Sequence, residues 1–350
     1  MKKRQDVVLD SVSYKMAISA CVKSNRVEDA IKLQEDALNS GLVLDHGVIR
    51  SLLWLLSFNG HGAKATKLFE MLKKMAEFCK NENALKQTDC LHTIESCMLS
   101  NMISDSLDLY NQLKKSENYN LDSRSLKTLL ELAYNSFDPQ MCLELYTKVI
   151  REKTFKLTIV HFKLILNTLL LTRSLEHIDY VWKNFVSENV QLDPVVCQLV
   201  LEGYSLLGNF QKAFDVLTIM EKEMIITNHT PYLVAIKSCE KCGEWKLALK
   251  ILRMAEHRLK SKNINLYNGV LEACLVAKEW NTMTLLYEEF SKKEDKLRDK
   301  GEELKPNGDT IALALIAYYN LEDDSTVKEL LNIPVISTPL LSKIRSSLTH

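Results

Sequence analysis

The chain has 350 residues, with 45 Lys and Arg against 45 Asp and Glu, so no global basic field draws it to nucleic acid, and any electrostatic binding must come from a local stripe. Hydrophobic residues make up 46% of the chain, enough for a sizeable core, while only 6 prolines and 10 glycines exclude a loop-rich β architecture and favour helices. The 9 cysteines are scattered, mostly through apolar helical patterns, which suits reduced thiols packed as small hydrophobes rather than a secreted disulfide framework.

Residues 1–10 form an N-terminal extension in which Lys2, Lys3 and Arg4 are followed by Asp6 and Asp10 without an apolar core; it reads as neither a secretory signal nor a transit peptide. From Ser11, the residues Tyr14, Ala17, Ile18 and Cys21 recur at helical spacing, Ser24-Asn25-Arg26 is turn material, and Val27, Ala30, Ile31, Leu33 and Leu38 mark a second helix that stops at Ser40-Gly41. Two short helices and a turn make an αα-hairpin that cannot bury its apolar face alone. The same grammar recurs over His46–Lys86, Gln87–Leu121, Ser123–Leu157, Ile159–Asp193, Pro194–Asn228 and His229–Asn263. An eighth hairpin opens at Ile264 and carries a charged extension from Lys292 to Lys305, and a ninth covers Gly308–Leu331. The apolar run Leu164–Leu171 is too short to span a bilayer.

The step is fixed. Tyr232 and Tyr267, Cys239 and Cys274, Trp245 and Trp280, and Gly208 and Gly243 are each 35 residues apart, and Asp193, Asn228 and Asn263 close successive units at the same interval. A period of this length marks a solenoid of small helical units, each burying its face against its neighbours. The expectation is an all-α, right-handed superhelical solenoid of about nine αα-hairpins over residues 11–331, with 332–350 as a C-terminal cap.

Tetratricopeptide repeats step by 34 residues and place Trp, Leu-Gly and Tyr in the first helix, a pattern absent here. The residues Val12-Ser13-Tyr14, Ala30-Ile31-Lys32-Leu33, Ser40-Gly41 and Asp45 resemble a pentatricopeptide repeat, as do Tyr267-Asn268 and the stretch Lys237–Trp245, in a form common in algae and other protists. This resemblance implies an organellar RNA-binding protein, mitochondrial or, as the alternative, plastid. Such proteins read single-stranded RNA at one base per repeat, through the fifth residue of the first helix and the last residue of the unit.

Carried onto this chain, those places hold Gln198 with Asn228, and Asn268 with Asn307, pairs whose amides suit base edges. Elsewhere the fifth place holds Lys15, Arg50, Lys127 and Lys163, cations better suited to phosphate oxygens than to reading sequence, while Leu91, Leu233 and Ala312 have no edge to offer. The resemblance therefore implies RNA binding through the basic inner face, with little code and no catalysis. The alternative is a scaffold subunit of a large organellar ribonucleoprotein such as a ribosome, holding proteins and structured rRNA. No cofactor, metal or membrane span is expected. Cys239-Glu240-Lys241-Cys242 has no second pair at zinc spacing, and no phosphate-binding glycine loop or metal-ligand His motif is present. Trp245 and Trp280 are expected to pack in the core, and Glu322-Asp323-Asp324 to start a helix.

Overall fold

A computed structural model describes residues 10–78, 85–115, 119–188, 191–226, 228–292 and 306–333, and its regular elements are all helical. Residues 1–9 of the expected N-terminal extension, the charged extension over 293–305 and all but the first two residues of the cap fall outside this set. The chain divides into two compact units, Met1–Thr172 and Arg173–His350.

In the first unit the helices are α1 (Ser11–Lys23), α2 (Val27–Asn39), α3 (His46–Ser57), α4 (Gly62–Phe78), α5 (Gln87–Leu99), α6 (Ile103–Lys114), α7 (Ser123–Asn135), α8 (Pro139–Glu152) and α9 (Ile159–Leu171). The second holds a 3-10 turn at Leu175–His177, then α10 (Ile178–Ser187), α11 (Pro194–Leu206), α12 (Phe210–Lys222), α13 (Thr230–Glu240), α14 (Trp245–Leu259), α15 (Ile264–Ala277), α16 (Trp280–Lys292), α17 (Gly308–Asn320) and α18 (Asp324–Leu331). Within each unit the first helices of successive hairpins pack on one another: α1 on α3, α3 on α5, α5 on α7 and α7 on α9, then α11 on α13, α13 on α15 and α15 on α17. Second helices such as α4 and α14 wedge between their own partner and the next first helix, α4 between α3 and α5 and α14 between α13 and α15. Each unit is therefore a stack of helical hairpins, the local arrangement of a solenoid.

The residue that closes a repeat is the residue that caps the next helix. Asp10, Asp45 and Asp122 accept a hydrogen bond from the backbone N–H three residues on, at 2.8, 2.8 and 2.7 Å. Asp193 accepts from Val195 and Val196, Asn263 from Asn265 and Asn307 from Thr310. Each such cap stabilises its helix by about 1 kcal/mol. Asn228 bonds the Thr230 N–H in the same way, although α13 begins one residue later than the period implies. At the hairpin turns the backbone reverses through left-handed residues, among them Gly208 (φ +69°) and Gly243 (φ +67°), which accounts for the spacing of those glycines.

Buried tyrosines join consecutive hairpins in the second unit. Tyr204, Tyr232, Tyr267 and Tyr318 on first helices donate their hydroxyls to Asp179, Glu221, Glu256 and Glu288 on the preceding second helices. Burial raises all four tyrosine pKa values above the ordinary range, and the acceptor carboxylates add to this. The acids are themselves held by cations: Asp179 by Lys183 and Lys212, Glu256 by Arg253, and Glu221 by Arg258. Tyr267→Phe leaves the ring packing intact but removes the donor to Glu256, and the expected cost is about 1–2 kcal/mol in urea-induced unfolding. In a double-mutant cycle with Glu256→Gln the two losses should be strongly non-additive.

Candidate nucleic-acid interface on the first helices

The eight candidate residues divide between the two units. Lys15, Arg50, Lys127 and Lys163 all lie in the first, and Gln198, Asn228, Asn268 and Asn307 in the second. Each cation is the fifth residue of its first helix, as are Gln198 and Asn268, so within a unit the stacking of these helices sets them in a row.

The cations do not form a bare stripe. Lys15 Nζ lies 2.6 Å from Asp45, the cap of the next first helix, with both side chains about half exposed (55% and 48%). That contact, with the Val48 N–H, holds the Asp45 carboxyl below the usual carboxylate range. Arg50 Nε donates to both oxygens of Asp89 at 3.0 and 3.2 Å, and Asp89 is only 2% exposed. Asp89 also accepts from the backbone N–H of Lys86, so one carboxylate both caps α5 and anchors Arg50. Lys127 Nζ is 3.5 Å from Glu131, one turn along α7. Lys163 is half-buried on α9. Exposed pairs such as Lys15–Asp45 contribute little and exchange readily for another anion, whereas a buried carboxylate that loses its cation is costly.

The amides are also engaged. Gln198 donates to Glu202 at 3.0 Å. Asn268, expected to read a base with Asn307, is 8% exposed; its Nδ2 donates to Asn307 Oδ1 at 3.2 Å and its Oδ1 accepts from Thr310 at 2.7 Å. The Thr310 backbone N–H donates to Asn307 Oδ1 at 2.9 Å, which closes the network and leaves little of the pair for a base edge. Asn228 is exposed. Leu91 and Ala312, at fifth positions in their helices, are buried.

Two features of this face were missed in the residue pattern although their spacing was available. Four residues beyond the fifth place stand Glu95, Glu131, Glu202 and Glu272, so the row of donors is flanked by carboxylates. Glu95 takes Thr128 and Arg124 as partners. At the equivalent place on α3 stands Trp54, 43% exposed, with its ring edge-on to the more exposed Phe58 at 5.2 Å. A further set is exposed at the second residue of a first helix: Val12 at 61%, Val160 at 47% and Val195 at 49%, each one turn before Lys15, Lys163 or Gln198.

Glu272 has an unusual environment. Burial first, and then the neighbouring Glu240, with which it shares a hydrogen bond, push its carboxyl up to about 7; Asp309 adds to the rise and Lys237 opposes it. Of the other motifs, Cys239 is fully buried on α13 with its thiol raised to about 12 by burial, while Cys242 lies exposed past the end of that helix rather than within it. Among the described residues no group of three or more His, Cys, Asp or Glu side chains is placed to hold a metal ion, and no helix is long and apolar enough to cross a membrane. Trp245 and Trp280 are half-buried, and Asp323 caps α18 through Thr326.

Stacked αα-hairpins on a 35-residue step, most of them capped by the residue just before the first helix, define a helical repeat protein. Residues 12–42 match the PPR repeat family. Pentatricopeptide repeat-containing protein 1 of the Plasmodium falciparum (isolate 3D7) apicoplast is 24% identical over 420 residues, covering 98% of this chain and 68% of that protein. The chain carries a PPR repeat at residues 12–42 and is a distant homologue of that apicoplast protein over nearly its whole length. Among solved structures, maize pentatricopeptide repeat protein PPR10 is similar with a TM-score of 0.47 at 14% identity, covering 97% of this chain and 56% of that one. PPR10 in complex with an 18-nt psaJ RNA element gives 0.38 at 15% identity, covering 97% and 60%. The chain thus spans less than two thirds of the solved structures it matches.

Arg50→Ala strands the nearly buried Asp89 carboxylate and should cost about 2–3 kcal/mol in thermal unfolding, against less than about 1 kcal/mol for Lys15→Ala at an exposed pair. For Glu272, the folded protein keeps the proton up to about pH 7 while the unfolded carboxyl releases it near 4.5. The native state therefore binds more protons between those values, and stability falls as pH rises through them. Glu272→Gln should flatten that fall and stabilise the protein at pH 8 by about 1 kcal/mol, after allowance for solvent screening, as read from melting curves at pH 5 and 8.

Proposed function

We propose that this protein binds RNA without catalysing a reaction, through the first-helix faces of its hairpins and with little sequence code. The observation that carries the reading is the pairing of an exposed valine with a polar side chain one turn later, at Val12 and Lys15, Val160 and Lys163, and Val195 and Gln198. A nucleobase has an apolar face and a hydrogen-bonding edge, and this arrangement offers a surface for each. Lys15, Lys127 and Lys163 contact phosphate, with Lys15 and Lys127 exchanging weak carboxylate partners for it, while Arg50 is held more firmly by Asp89. Gln198 and Asn228 supply what base preference there is; Asn268 and Asn307 serve the protein's own hydrogen bonding first. Trp54 adds a stacking surface.

The second reading, a scaffold subunit of an organellar ribonucleoprotein, is favoured by the internal satisfaction of Asn268 and Asn307 and by the carboxylates that flank the row. The homologue is named as an apicoplast protein, which favours a plastid-type organelle over the mitochondrion as the compartment.

The triple variant Lys15→Glu, Lys127→Glu and Lys163→Glu should stay folded by circular dichroism and bind a single-stranded RNA at least about tenfold more weakly. Its plot of log affinity against log salt should be shallower by about 2, from roughly 0.7 per phosphate contact. Unchanged affinity and slope would overturn the RNA assignment of this face. In cell extract, a free protein that crosslinks to one short single-stranded site supports the first reading, and migration in an RNase-sensitive megadalton particle the second.

A further inference from the structure

Helix α14 is the most basic of the second helices, at a net charge of +3 within its own bounds. Within their bounds the others run from a net charge of −3 in α2 to +2 in α4. Helix α14 carries Lys246, Lys250, Arg253 and Arg258 against the single acid Glu256, and Lys260 and Lys262 follow directly, for a net +5 over 245–262 in a chain whose total is zero.

These charges are ordered. Lys246, Lys250, Arg253, His257 and Lys260 follow one another at steps of four and three residues, so they share one face, and all five are exposed. At 1.5 Å per residue the row is about 21 Å long. The opposite face of α14, Ala248, Ile251, Leu252 and Ala255, is fully buried against the hairpin stack and fixes which way the row points. Arg253 is engaged by Glu256 and Glu289. Among the described residues Lys246, Lys250 and Lys260 have no ion pair; Lys250 sits 4.8 Å above the Phe214 ring and Lys246 5.4 Å above Trp245.

We propose that this face of α14 is a second RNA-binding surface, taking the phosphodiester backbone without reading bases. Charge complementarity and the lack of any apolar anchor argue for that occupant. No large apolar side chain of α14 is exposed, whereas protein interfaces are centred on aromatic or aliphatic anchors and are depleted of lysine. A membrane surface requires a free apolar face beside the basic one, and here that face is buried. Lysine ammonium groups on flexible stems suit phosphate oxygens at any register, which matches a sequence-blind contact. The surface lies on a second helix, apart from the fifth-position residues of the first-helix face, so the two sites can be tested separately.

The test is fluorescence anisotropy of the full chain over a salt series, with two probes: an oligouridine strand of about 20 nucleotides and an RNA duplex of about 20 base pairs. The variant K246Q/K250Q/K260Q removes charge without adding repulsion and alters only exposed side chains. It should lose at least about tenfold affinity at low salt, with the salt slope shallower by about 2 on the single strand and nearly 3 on the duplex. The probe that shows the larger loss identifies the form of backbone bound. The same loss should appear on top of that of the first-helix triple variant; if that variant binds normally and this one does not, the first-helix reading fails and the α14 surface stands. Unchanged affinity and slope on both probes would overturn the proposal. So would loss of polyglutamate binding with RNA binding intact, which would reassign the row to an acidic protein.

Discussion

Two helices of about a dozen residues bury only the surface they share, so every hairpin in each unit depends on the one beside it. The seam between neighbours must therefore bury apolar side chains and also satisfy each polar group that comes with them. Apolar packing is supplied by first helices lying on first helices, with residues such as Ile18, Leu52, Leu129 and Val200 fully or almost fully buried. Polar satisfaction comes from three recurrent contacts: the acid or amide that caps the next helix, the fifth-position side chain that reaches that cap or its first turn, and the tyrosine that donates to the preceding second helix. Where the contact is buried, as at Arg50–Asp89 and Tyr267–Glu256, removing one partner strands a polar group at a seam and costs more than the contact itself contributed.

That constraint bears directly on binding. The positions proposed to meet RNA lie at the same seam that the protein must satisfy internally. Lys15 reaches the cap Asp45, Arg50 reaches Asp89, and Asn268 closes a network with Asn307 and Thr310. A ligand there competes with an existing partner. The competition is mild at Lys15, where both groups are half solvated, and severe at Arg50 and Asn268, where the partners are buried. On the proposed reading, affinity on the first-helix face would be graded by how replaceable each internal partner is, and sequence preference would be weakest where the internal network is tightest.

Much of the fold was legible in the residues because it depends on local chemistry. Helix starts at Ser11, His46, Gln87, Ser123, Ile159, Pro194, Ile264 and Gly308 fall where the 35-residue grammar places them, since a capping residue and an apolar face are both written within one hairpin. The closing Asp and Asn residues are legible as a period, and their capping of the next helix gives a reason for their identity that is independent of RNA. The partners of the candidate residues were not legible. Asp45 lies 30 residues from Lys15 and Asp89 39 from Arg50, so which carboxylate meets which cation depends on how one hairpin leans on the next. The carboxylates one turn beyond the fifth place and the exposed Trp54 could have been found by extending each candidate by four residues along its helix.

A period constrains what it repeats and leaves free what it does not. Caps, turn glycines and seam tyrosines recur because each hairpin poses the same packing problem, and the charges at the seams are compensated for the same reason. The basic row of α14 recurs in no other second helix and contributes little to any seam: among the described residues only Arg253 ties it to a neighbour's carboxylate, on α16. Aligned like charges on an exposed face raise the self-energy of the folded protein, a cost that salt screening reduces but does not remove. Packing gives no reason to bear that cost on one hairpin alone, whereas an anionic polymer laid along the row would relieve it. The departure from the period is thus more informative about binding than the repeated positions, which the fold already needs for itself.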